Sequence, residues 1–199
     1  MRTPGPLALA IAVLALIQAI LSARLAAQVW SSGLPLAPDE PLAVWHSFAY
    51  AGSALLTLVW LARAIRRVQQ AGAVDLSAGP VMAVVWWFVP VANLVMPPKV
   101  MGELRRAAIR PHDWQAIGGS PLIMLWWTGW IVANLAGIAL WRAEVSPELD
   151  LAELLPPLSL VSYGVAAPTA LLFLALVLAI DRRLQALGGL APETVITAA

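Results

Sequence analysis

Two histidines, eleven acidic residues and twelve basic ones make up most of the ionisable side chains of this 199-residue sequence, which has no cysteine. The missing thiols exclude disulfides, thiolate metal sites and cysteine nucleophiles together. His46 and His112 fall at opposite ends of the molecule in the topology derived below, so they cannot jointly clamp one haem. His46, beside Trp45, could alone ligate a haem or chlorophyll-type ring, and its ordinary role is an interfacial hydrogen bond. No serine, histidine and acid share one membrane face, which argues against a catalytic triad and against an enzyme. None of the acids falls within a span, so the intramembrane carboxylate typical of proton-coupled transport is missing. Gln18, Asn93 and Asn134 are the polar groups nearest mid-membrane, suited to a polar path or to hydrogen bonds between helices.

The basic residues form the most informative set. Arg63, Arg66, Arg67 and Gln70 share one helical face just beyond Trp60. Lys99, Arg105, Arg106 and Arg110 follow a proline-broken apolar stretch and return toward the same side. Together they could hold anionic lipid headgroups, at about 1 kcal/mol per basic residue near the surface. They could equally dock an acidic face of another membrane subunit, and orientation alone demands some of them.

The elements that must position these residues are set by composition. Hydrophobic residues make up 61% of the chain and charged residues 12%, with a mean hydropathy of +0.81. A soluble domain is about half apolar and about a quarter charged, so this is the balance of a membrane protein. The net charge of +1 gives no sign of nucleic-acid binding. Crossing about 30 Å of hydrocarbon takes about 20 helical residues. Four stretches qualify: Leu7–Trp30, Pro41–Ala62, Pro121–Trp141 and Leu158–Ile180. The first lacks a small-x-small cleavage site, because Leu21, Arg24 and Leu25 occupy the small positions, and it is expected to be a retained span.

A fifth apolar stretch, Pro80–Met96, is interrupted by Pro90, carries Asn93 and ends at Pro97-Pro98. Broken backbone at membrane depth is tolerated only where protein or water satisfies it. Charge decides between a crossing and a re-entrant hairpin. If the stretch does not cross, one side holds Arg2, Arg63, Arg66, Arg67, Lys99, Arg105, Arg106, Arg110, Arg182 and Arg183, and only Arg24 and Arg142 face the other. If it crosses, that bias disappears. Asp39, Glu40, Glu144, Glu148, Asp150 and Glu153 all fall in the two loops opposite the basic side.

The expected fold is therefore an all-α membrane protein. It has four transmembrane helices and a re-entrant or half-inserted hairpin, followed by an interfacial amphipathic helix over Lys99–Arg110. Trp86, Trp87, Pro90, Asn93 and Pro97 build the hairpin, with Pro90 and Asn93 forming the turn and Asn93 serving its freed backbone groups. In the amphipathic helix Lys99, Glu103, Arg106 and Arg110 form the polar stripe. Trp30, Trp45 and Trp141 are expected at one membrane boundary, and Trp60, Trp114, Trp126 and Trp127 at the other. Ser146-Pro147 reads as the start of a short helix reaching Leu155 and ended by Pro156-Pro157. Residues 1–187 form one domain, and 188–199 a tail.

The run Trp86-Trp87-Phe88-Val89-Pro90-Val91-Ala92-Asn93-Leu94-Val95 resembles a bacterial membrane family known as domain of unknown function 4328. That family pairs a W-x-x-R helix end, matched here by Trp60 and Arg63, with a WWF-[VI]-P-x-x-N-L stretch. A proline and a V-M-x-E-L helix follow, matched by Pro97 and Val100-Met101-Gly102-Glu103-Leu104, and then a Trp-rich span, as at Trp126-Trp127. Met96, Pro98 and Arg67 depart from the residues common at those places, so contacts made by those residues in relatives are not carried over. The resemblance implies a multi-span bacterial membrane protein with a structured hairpin, and no particular activity.

The residues thus point to a non-catalytic integral membrane subunit or scaffold that packs against a larger complex or anionic lipid. No cofactor is expected. The bacterial cytoplasmic membrane is the expected site, with both termini cytoplasmic and the basic residues at its inner leaflet. Gly129, Ala133, Ala136 and Gly137 offer a small-residue face for close helix contact. The rivals are a small transporter or channel running past Gln18, Asn93 and Asn134, and an accessory subunit of a photosynthetic or respiratory electron-transfer complex.

Overall fold

The computed structural model describes residues 3–34, 40–146 and 152–187. Arg2, Asp39, Pro147, Glu148, Asp150 and the expected tail lie outside the described residues. Proline at the first helical position starts one element after another, because its missing N–H would be unbonded there and its φ already suits a helix. In this way Pro6 opens α1 (Pro6–Ser32), Pro41 opens α2 (Pro41–Gln70), Pro80 opens α3 (Pro80–Val85) and Pro121 opens α5 (Pro121–Val145). Helix α4 (Ala92–Ala107) is followed by a 3-10 turn (Pro111–Ala116), and α6 (Leu155–Leu187) follows another (Ala152–Leu154). Helix α1 stops at Gly33, whose φ of +64° is left-handed and whose N–H returns to the Val29 carbonyl at 2.9 Å.

Four of the helices, α1, α2, α5 and the segment containing α6, are long and apolar enough to cross a membrane. Neither α3 nor α4 is among them. Helix α1 packs along both α2 and α6, and α6 along α5, whereas α2 and α5 are not packed along each other. The helices therefore form a bent row in the order α2, α1, α6, α5, with its two outer members facing across a gap.

One end of the row, here called the base, holds the continuous core. Ile11, Leu61, Ile65, Val100, Met101, Leu104, Val177, Ile180 and Leu184 are fully buried there. Asp181 pins the base. Its carboxylate accepts the Gly5 N–H at the start of α1 (2.7 Å) and the Trp60 indole N–H of α2 (3.0 Å). At the opposite end, the top, the Gln28 amide donates to Glu40 at 3.1 Å. Near the base, Trp126 in the second turn of α5 stacks on Phe173 of α6 with centroids 5.5 Å apart. Residues 71–120 therefore leave the base at the end of α2 and return to the base at the start of α5.

Several expectations are corrected by this packing. Trp30, Trp45 and Trp141 are exposed near the top, at 57–79%, as a boundary belt requires. Trp60, Trp114, Trp126 and Trp127 are core residues, 2–6% exposed, and form no second belt. Pro156-Pro157 do not end a helix; they lie in the first turn of α6, where no N–H needs an acceptor. Ser146 is the C-cap of α5, and the start of the short helix expected after it lies outside the described residues. Part of the small-residue face of α5 is used inside the chain, against α6. A side chain at Gly129 would meet the Thr169 hydroxyl, and one at Gly137 would come 3.3 Å from Ser162 Oγ.

Candidate functional site

The gap between α2 and α5 is a cleft of two connected lobes, one nearer the base (about 200 Å³) and one nearer the top (about 340 Å³). Gln18, Tyr50, Trp130 and Thr169 line both lobes, one residue from each long helix. In α2 the lining residues His46, Tyr50, Ser53 and Thr57 follow a four-three-four spacing, which places them on one helical face. In α5 the same spacing selects Trp126, Trp130, Ala133 and Gly137. At the junction the Tyr50 hydroxyl donates to Asn134 Oδ1 at 3.3 Å, a side-chain hydrogen bond across the gap. The Asn134 amide in turn donates to the Trp130 carbonyl at 2.8 Å.

Aromatic rings build the lower walls. Trp127 and Trp130 stack at 4.6 Å with planes 9° apart, and Trp87 meets both edge-on at 5.9 and 6.0 Å. Trp87 and Phe88 come from the turn between α3 and α4 and close the cleft toward the base. In the upper lobe His46 lies edge-on to Tyr163 at 5.4 Å, and its Nε2 is buried without a hydrogen-bond partner.

The expected hairpin residues are partly brought together here. Trp86 and Trp87 are half-buried in the turn, with indole nitrogens buried and unpartnered, and Pro90 is exposed. The turn closes through its own backbone: the N–H groups of Trp87 and Phe88 donate to Val84 and Val85, and Asn93 N–H donates to Val89 at 2.7 Å. The Asn93 side chain does not serve the turn as expected, since its Oδ1 is buried without a partner. A different residue answers the prolines. Pro97 and Pro98 do not end the segment but lie inside α4, and Pro98 has no N–H for the Leu94 carbonyl one turn earlier. The Trp127 indole donates to that carbonyl at 3.0 Å, so the bond is replaced from the neighbouring helix.

The basic set divides. Arg63, Arg66, Arg67 and Lys99 are exposed, with no salt bridge among the described residues. Arg105 and Arg106 are half-buried and engaged: Arg105 donates to the Gly118 carbonyl at 3.4 Å, and the Arg106 guanidinium lies 5.0 Å from the Trp114 ring centre. Arg110 is exposed, 4.0 Å from the Asp113 carboxylate. Glu103, expected on the polar stripe, is buried. It accepts the Ser77 N–H and hydroxyl, each at 2.8 Å, and so ties the loop after α2 to α4.

No group of histidines and acids able to hold a metal occurs among the described residues. Apart from the His46 imidazole, no acidic or basic side chain lines either lobe. The arrangement is a mostly apolar, aromatic cleft with amide and hydroxyl groups at its junction and one imidazole in its upper lobe. These features define a multi-pass helical membrane protein with a lateral cleft. The chain belongs to the family described as Domain of unknown function (DUF4328), which matches residues 39–182. No curated protein and no solved structure matches it.

Proposed function

We propose that this protein is a non-catalytic subunit or scaffold of the bacterial cytoplasmic membrane that holds a membrane-borne partner in the cleft between α2 and α5. The supporting observation is the gap itself: two long apolar helices stand apart, and none of the described residues fills the space between them. In a packed helical protein such a gap costs dispersion contacts unless something occupies it. Both termini face the cytoplasm, which places the base at the inner leaflet. There Arg63, Arg66, Arg67 and Lys99 meet anionic headgroups, each worth about 1 kcal/mol at the surface. The turn 86–91 re-enters the membrane from that side. Phe88, Val89, Val91 and Leu94 are exposed apolar residues around it, which suits hydrocarbon better than water. Native mass spectrometry after mild-detergent extraction tests the reading. A retained lipid or protein is expected; a lone, empty monomer would overturn it.

A second reading, a small carrier, is favoured by one observation: Gln18 and Asn134 line the same lobe. The third polar residue of the expected path, Asn93, lines neither lobe. Uptake of an uncharged solute into proteoliposomes, abolished by Gln18→Leu, would place transport above the scaffold reading.

A further inference from the structure

The lining of the cleft specifies the kind of molecule that fits it, given the reading above that the cleft holds a membrane-borne guest. With no charged side chain around either lobe, an ionised headgroup would be desolvated without a counter-charge. The guest is therefore neutral. It also needs a polar head, because the level where the lobes join is polar on three helices. Thr169 returns its hydroxyl to the Val165 carbonyl and Tyr50 is engaged by Asn134. The Gln18 amide and the Ser53 hydroxyl have no hydrogen-bond partner among the described residues. A free amide offers two N–H donors and one carbonyl acceptor, so it suits a head bearing carbonyl or hydroxyl oxygens. Just below it, Trp126, Trp130 and Phe173 line the basal lobe. Trp126 stacks on Phe173 and Trp130 on Trp127, so the wall is aromatic and favours a planar head packed against ring edges over a branched or purely aliphatic one.

We propose that the cleft binds a neutral, lipid-soluble molecule with a planar oxygen-bearing ring, of the quinone class. The ring oxygen meets Gln18, the ring lies against Trp126, Trp130 and Phe173, and the hydrocarbon tail leaves between α2 and α5 into the bilayer. The proposal concerns binding alone and involves no electron transfer by the chain. The upper lobe, at about 340 Å³, is within the range of small-molecule sites, and the basal lobe, at about 200 Å³, has room for a single ring.

Decylubiquinone added to the protein in phospholipid nanodiscs tests this through quenching of tryptophan fluorescence. Saturable quenching is expected, with the half-saturating concentration raised about tenfold by Gln18→Leu. Ala54→Trp, placed at an exposed position on the wall of the basal lobe, should remove the saturable component while leaving the helical circular dichroism unchanged. n-Decanol, which has the tail without the ring, should not compete. Quenching that rises linearly and equally in the wild type and both variants would overturn the proposal, since it reports partition into lipid only. Equal competition by n-decanol would also overturn it, in favour of an acyl chain. A species retained in mild detergent but not displaced by decylubiquinone would remove this ligand class and leave the scaffold reading standing. An empty monomer would remove both.

Discussion

Asp181 shows how much one side chain can organise in this protein. It is buried, it sits at the start of α1 where backbone N–H groups and the helix dipole favour negative charge, and the Trp60 indole and the Gln185 amide also donate to it. Asp181→Asn keeps the shape but loses the charge, and should lower stability by about 1–2 kcal/mol, the upper range for a carboxylate at a helix N-terminus. Trp60→Phe leaves a buried carboxylate oxygen without its donor and should cost about 1–3 kcal/mol. Thermal unfolding in detergent, followed by circular dichroism, checks both; an unchanged midpoint in either variant would contradict the role given to Asp181. Trp60 illustrates what the sequence makes legible at this scale. Its recurrence three residues before Arg63 marks it out, but an amphipathic ring near a helix end reads equally as a boundary residue. Only the position of Asp181, 121 residues away in sequence, turns it into a buried donor.

Among the elements, the long helices were readable because hydrocarbon thickness fixes a minimum apolar length, and the proline starts were readable because φ and the missing N–H act locally. Helix α4 was not. Pro97-Pro98 read locally as a stop, and its continuation depends on the Trp127 indole supplied from α5. Trp127→Phe should therefore leave the Leu94 carbonyl unsatisfied and loosen the first turns of α4. Faster amide hydrogen exchange is expected over residues 92–96, and unchanged exchange there would contradict it. The seam between α5 and α6 has its own test. Gly129→Ala brings a methyl onto the Thr169 hydroxyl, an overpacking that should cost about 1–3 kcal/mol. Combining it with Thr169→Ala should recover part of the loss, because neighbouring sites couple; simple additivity would argue against the contact. The cleft was also written in the sequence, as the four-three-four spacing of His46, Tyr50, Ser53 and Thr57. That spacing shows which residues share a face, not that α2 and α5 stand apart, so Gln18 and Asn134 were recognised as polar and the aromatic wall was not.

For the whole molecule, both ends of residues 71–120 lie at the base, which agrees with the charge bookkeeping. The absence of cysteine makes single-cysteine labelling clean. Gln70→Cys and Gln115→Cys, both exposed, should label from the cytoplasm, and Ser32→Cys from the opposite side. Labelling of Gln70→Cys and Gln115→Cys from opposite sides would make the segment between them a span. The central claim is that the gap between α2 and α5 holds a specific guest in the membrane. Photocrosslinking in native membranes tests it most directly, with a benzophenone amino acid placed at Ala54 on the cleft wall or at Val13, exposed on α1 and outside the cleft lining. The account predicts one discrete adduct from Ala54 and only the bulk phospholipid distribution from Val13. The same phospholipid distribution from both positions would contradict it.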